Sequence, residues 1–112
     1  MNISITTMQS WVAISLEGTL TIKNCTLIRS YLEQAEATPV PGIVIDMGKV
    51  TQLDSCGITL LLNFQKRIIR KEGHLVLAGI TEEVTEIFSI VGIDKIFRIC
   101  KDMDEFKRSY CG

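Results

Sequence analysis

Gly42-Ile43-Val44-Ile45-Asp46-Met47 is a short, β-branched and almost continuously apolar run. It offers water no polar face, so it reads as a strand covered on both sides, the pattern of a central strand in a parallel sheet. Whatever flanks it must therefore supply cover for two faces.

The flanking segments fit that demand. Residues 1–7, with Ile3 and Ile5, and 11–17, with Val12, Ile14 and Leu16, alternate apolar and polar residues, the period of half-buried strands. The short Met8-Gln9-Ser10 connection makes them adjacent. Thr21 is placed as the cap of a helix running to about Ala37, with Ile28, Leu32 and Ala35, and Leu27 and Tyr31, as its buried stripe. Thr38-Pro39-Val40-Pro41-Gly42 stops that helix, because proline cannot continue it and restricts the residue before. A helix from Ser55 to Arg70 follows the central strand, then a strand at 75–78, a helix from Glu82 to Val91 behind Thr81, a strand at 96–100 and a last helix. That last helix opens Asp102-Met103-Asp104-Glu105, a capping-box variant with Asp102 as cap. The order β-β-α-β-α-β-α-β-α predicts a single α/β domain over residues 1–112, with a mixed, mostly parallel five-stranded sheet and about four helices. In such a sheet, ligands and partners usually meet the carboxyl edge of the strands.

Several function classes are disfavoured. Twelve basic residues against thirteen acidic give a net charge of −1, which does not suit a nucleic-acid binder. The one dense positive cluster, Lys66, Arg67, Arg70 and Lys71, lies on a single helix and reads as a solvated or partner-facing surface. Cysteines 25, 56, 100 and 111 form no C-x-x-C pair and have one histidine for company, so no zinc is expected. There is no Gly-rich phosphate loop, and no cofactor is expected. The amino terminus lacks a basic region followed by an apolar one, and no apolar run approaches the ~18 residues of a membrane span. Membrane insertion is not expected, and the simplest compartment is a reducing cytoplasm.

Leu53-Asp54-Ser55-Cys56-Gly57-Ile58 carries the chemistry. It puts a carboxylate, a hydroxyl and a glycine where a loop enters a helix, and the unpaired N–H groups and macrodipole there favour negative charge. A phosphate on Ser55 would be well placed; equally, Asp54 or Ser55 could be an ordinary N-cap. At ~100° per residue, Ile58, Leu60, Leu61, Leu62, Phe64, Ile68 and Ile69 gather on one side of this helix. Thr59, Asn63, Lys66, Arg67 and Arg70 gather on the other. Ser55 falls at the margin of the polar side and heads a stripe through Thr59 and Asn63, within another protein's reach. Gly57 permits close approach, either of a partner or of the sheet. Asp54 could cap the helix or orient the Ser55 hydroxyl.

Two enzymatic readings compete with this one. Cys56 at a helix start could be an activated thiol, or a small filler. The C-x-x-x-x-x-R phosphate-binding pattern fails, because position 62 is leucine and the next arginine is Arg67. Asp46 could be a phosphoacceptor of a receiver-like fold, but the acidic cluster for Mg²⁺ is missing, Glu17 being its only approximation.

Four segments in order and spacing carry a resemblance: Leu16-Glu17-Gly18-Thr19-Leu20, Ile43-Val44-Ile45-Asp46-Met47, Leu53-Asp54-Ser55-Cys56-Gly57-Ile58 and Gly73-His74-Leu75-Val76-Leu77-Ala78-Gly79. Together they resemble the STAS domain of bacterial anti-sigma factor antagonists, across essentially the whole chain. The resemblance implies a non-enzymatic partner switch. An anti-sigma factor that is also a serine kinase phosphorylates the motif serine, here Ser55, and a PP2C-like phosphatase removes the phosphate. The unmodified form binds the anti-sigma factor and frees its sigma factor. Asp54, Cys56, Gly57, Thr59 and Asn63 become the expected partner-binding surface. Thr21, on the flanking loop, stands where the family often has aspartate, which lowers the local negative charge. The alternative is a non-switching STAS scaffold, or an accessory subunit of a stress-signalling complex or membrane transporter.

Overall fold

The computed structural model describes residues 1–111; Gly112 and the side chain of Cys111 lie outside the described residues. Its elements are β1 (Asn2–Met8), β2 (Trp11–Leu20), α1 (Cys25–Glu36), β3 (Gly42–Leu53), α2 (Ser55–Arg70), β4 (His74–Ala78), α3 (Glu82–Val91), β5 (Arg98–Cys100) and α4 (Met103–Phe106), the last running into a π-helical turn, Lys107–Cys111. The five strands lie in the order β1-β2-β3-β4-β5. β1 is antiparallel to β2 across a two-residue turn, and β2 to β5 are parallel. This is the α/β domain with a mixed sheet that the sequence predicts, and the β-branched run of β3 is its middle strand.

The alternation along each strand divides the core in two. Val12, Ile14 and Leu16 of β2, Ile43, Ile45 and Met47 of β3, and Leu75 and Leu77 of β4 pack beneath α1, α2 and α3. The other face presents Trp11, Val44, Val76, Ala78 and Cys100, closed by Phe106 of α4.

Several boundaries differ from the sequence reading, each for a local reason. β2 continues past Glu17 to Leu20 and β3 past Met47 to Leu53, because the two keep pairing through irregularities at Ser15/Glu17 and Gly18/Thr19. Alternation cannot be followed through a register shift, so the extensions are invisible in the pattern. The cap of α1 is the position of Asn24, not Thr21: the Asn24 N–H bonds the Thr21 carbonyl at 2.9 Å, closing a turn before the helix starts. Cys25, Ile28, Leu32 and Ala35 are its buried face, whereas Leu27 is exposed and Tyr31 half-buried. β5 begins at Arg98 because Ile96 is still in the preceding turn, its N–H bonded to the Ile93 carbonyl. Thr81 and Asp102 cap α3 and α4 as predicted, and the Glu105 carboxylate returns to accept the Lys101 N–H.

Candidate functional site

The last residues of β2 and β3 pair with each other, Leu20 with Leu53. The loops leaving those strands are therefore neighbours at the carboxyl edge of the sheet, and the amino ends of α1 and α2 stand side by side. Asp54 ties them together. Its Oδ1 accepts the Gly57 N–H at 2.9 Å, capping α2, while its Oδ2 accepts the Ile22 N–H at 2.9 Å from the neighbouring loop. These N–H groups, Ile22 first and then Gly57, hold its carboxyl below the ordinary aspartate value. Of the two readings of Asp54, the cap is the one the geometry shows.

Gly57 is buried because α2 lies against the end of β2. A Cβ there would sit 2.1 Å from the Leu20 carbonyl oxygen and 2.9 Å from Leu53 Cδ1. That same carbonyl accepts the Asp54 N–H at 3.3 Å, so it is held in place from both directions. Gly57 serves packing against the sheet, not an exposed surface.

Ser55 is the first residue of α2 and is exposed. With Cys56, Thr59, Leu60 and Asn63 it forms one wall of a groove of about 330 Å³ between α1 and α2. Thr59 and Asn63 are exposed and Cys56 is half-buried, so the polar stripe read from the wheel does face outward. The opposite wall, Ile22, Cys25, Thr26 and Arg29, was missed by sequence reasoning. Part of its signal was present: Thr26 and Arg29 each lie one residue on from Cys25 and Ile28 of the buried 25-28-32-35 stripe, whereas Ile22 stands in the loop before the helix. What no pattern shows is that this stripe faces the motif, which depends on the β2–β3 register. Ile22 is 73% exposed at the edge of the groove. Burial pushes the Cys25 thiol up, with the charges of Cys56 and Asp54 acting the same way and Arg29 against them.

Other candidates lie elsewhere. Thr21 is half-buried in the β2–α1 loop, its hydroxyl 3.3 Å from that of Thr19, and is not among the groove's lining residues. His74 pairs with Gly42 at the opposite end of β3, near Trp11, so the fold builds no Cys56–His74 couple. Asp46 accepts the Gly48 N–H at 3.0 Å within β3, where its pairing with β2 shifts register. The basic cluster is only partly a free surface: Arg67 and Lys71 bond Glu36 at 3.0 and 2.7 Å, clamping the carboxyl ends of α1 and α2. Burial opposes ionisation of Glu36, but the bonds from Lys71 and Arg67 outweigh it and lower its pKa. On the wheel's apolar side, Ile69 is exposed, whereas Gln65 is buried and donates to the Ile96 carbonyl. Among the described residues no cluster of three potential metal ligands occurs, and no helix is long and apolar enough to cross a membrane.

Comparison with known proteins agrees with this architecture. A family model described as the STAS domain matches residues 2–106. BtrV of Bordetella bronchiseptica, named as a candidate anti-sigma factor antagonist, is 22% identical over 104 residues, covering 93% of this chain and 90% of its own. The crystal structure of an anti-sigma factor antagonist from Mycobacterium paratuberculosis superposes with a TM-score of 0.87 at 16% identity, covering 99% of this chain and 94% of that one. The phosphorylated form of the Bacillus cell fate determinant SpoIIAA superposes with a TM-score of 0.72 at 18% identity, covering 96% of this chain and 99% of that one. The chain belongs to the STAS domain family.

Proposed function

We propose that this protein, acting as one STAS domain over residues 1–112, is a phosphorylation-controlled anti-sigma factor antagonist. Unmodified, it binds an anti-sigma factor that is a serine kinase, through Ser55, Cys56, Thr59 and Asn63, and so releases a sigma factor. Asp54 and Gly57 contribute by holding the start of α2 in place. The kinase phosphorylates Ser55, the complex dissociates, and a PP2C-like phosphatase restores the binding form. The protein itself works by binding and catalyses nothing.

One observation carries the reading: of the motif's Asp54, Ser55 and Gly57, the first and last are tied into the fold, while Ser55 stands exposed at the mouth of a groove. A phosphate there adds about −1.5 to −2 charges and three acceptors, which a partner surface matched to a neutral hydroxyl cannot accommodate without repulsion and desolvation. Thr21 in place of aspartate leaves less negative charge near the acceptor and lowers the cost of adding that phosphate.

The test is incubation with the anti-sigma kinase encoded in the same genome and ATP, followed by intact mass and peptide mapping. One phosphate on Ser55, none on Ser55→Ala, and at least a tenfold loss of kinase affinity in Ser55→Asp are expected. A Ser55→Asp protein that binds as tightly as wild type would leave only a non-switching scaffold.

A further inference from the structure

We infer that Arg29 is the intramolecular receptor for a phosphate on Ser55, so that modification closes the α1–α2 groove with this chain's own guanidinium. The inference rests on Ser55 being the modified hydroxyl and adds what happens next.

Arg29 lies one helical turn beyond Cys25 on α1 and lines the same groove as Ser55. It is the sole cationic side chain among the lining residues. Arg67 and Lys71 are engaged with Glu36, and Lys49 with Glu17, whereas Lys23 beside Ile22 and Lys66 one turn beyond Asn63 are exposed but do not line the groove. Arg29 forms no ion pair among the described residues. Two carboxylates could compete: Glu33, four residues on along α1, which makes no ion pair with Arg29, and Asp54, both of whose oxygens are taken by the backbone N–H groups of Ile22 and Gly57. The remaining ionisable groups on the groove are the thiols of Cys25 and Cys56. The guanidinium is therefore uncommitted, and its planar fork of five donors suits a phosphate's oxygens.

Two effects follow from one event. In the unmodified protein, Arg29 is available to an acidic side chain of the partner. Once Ser55 carries a phosphate, a charge-assisted, bidentate pairing on the same chain takes that cation and bridges the two helices. The partner loses an ionic anchor and the opening beside it.

The test uses the full chain with phosphoserine placed at position 55 during translation, so it does not depend on any cellular kinase. The second ionisation of the phosphate is followed by ³¹P NMR in wild type, R29K and R29Q, with backbone amide spectra confirming the fold. Backbone N–H groups at the start of α2 act alike in all three, so differences isolate residue 29. The expected order of phosphate pKa is wild type below R29K below R29Q, with about half a unit, roughly a threefold change in proton affinity, between the extremes. Added salt should shrink the gap. Superimposable titrations of wild type and R29Q would overturn the pairing while leaving the proposed switch at Ser55 intact. A Ser55 that the kinase never modifies would overturn the switch and leave the titration result standing.

Discussion

At Gly57 two opposing effects can be weighed. Alanine is the better helix former by about 1 kcal/mol, so Gly57→Ala would stabilise α2 if the position were open. It is not: the added Cβ would lie 2.1 Å from the Leu20 carbonyl oxygen, a backbone atom that cannot rotate aside as a side chain would. Overpacking costs roughly 1–3 kcal/mol, and a clash with backbone belongs at the upper end of that range, so the variant should lose about 2 kcal/mol net in urea unfolding. Stability equal to wild type would mean that α2 does not sit against β2 as described. The motif was legible in the sequence as a loop entering a helix. The division of labour within it was not, because Asp54 and Gly57 each had two chemically sound roles. Only the Leu20–Leu53 pairing, formed by residues 33 apart in sequence, decides that both belong to the fold and that Ser55 is left facing outward.

At the level of elements, α2 and α3 end in the same way with different residues. In α3 the residue after the helix is Gly92, at φ +77°, and the Ile93 N–H returns to the Phe88 carbonyl at 2.9 Å. In α2 the Gly73 N–H makes the equivalent 2.9 Å bond to the Ile68 carbonyl, but the left-handed position is held by Glu72, at φ +61°. A side chain there costs about 1–2 kcal/mol, and a carboxylate sits at the negative end of the helix dipole. Glycine removes both penalties and adds back about 0.4–1 kcal/mol of unfolded-state entropy. Glu72→Gly should therefore stabilise by about 0.5–1 kcal/mol and raise Tm by about 2–6 °C, read by calorimetry; a lower Tm would reject the capping account. The extent of α2, Ser55 to Arg70, was readable from the motif before it and the glycine after it. The start of α1 was not, because Thr21 and Asn24 are both good capping residues and the turn between them satisfies the Asn24 N–H first. The same limit applied to the ends of β2 and β3, whose pairing continues through irregular register.

On the scale of the whole molecule the sheet is covered unequally. Three helices close one face, while the other depends on a short carboxyl-terminal segment whose anchor is Phe106. That β3 needs cover on both faces was evident from its composition, yet nothing in the sequence of residues 102–111 advertises how much rests on four helical residues and a π turn. Phe106 is fully buried and meets Trp11 edge to face at 4.9 Å, with Tyr110 5.3 Å from both rings. Removing a buried phenylalanine costs about 3–5 kcal/mol, and a domain of this size has only about 5–15 kcal/mol in total, so Phe106→Ala should take away roughly a fifth of the stability or more. The damage should also be visible locally. Trp11 is the only tryptophan, 8% exposed beneath this segment, so its emission should shift to the red in native buffer before any global unfolding. Tyr110→Ala, at a residue 37% exposed, should cost about 1 kcal/mol and shift the emission less than Phe106→Ala does. The α1–α2 groove lies on the opposite face, separated from Phe106 by the sheet, so Phe106→Ala protein below its melting temperature should keep whatever affinity wild type has for the proposed anti-sigma partner. Loss of binding in step with the Trp11 shift would instead show that the two faces are coupled and that the carboxyl-terminal segment helps to hold the groove in its binding shape.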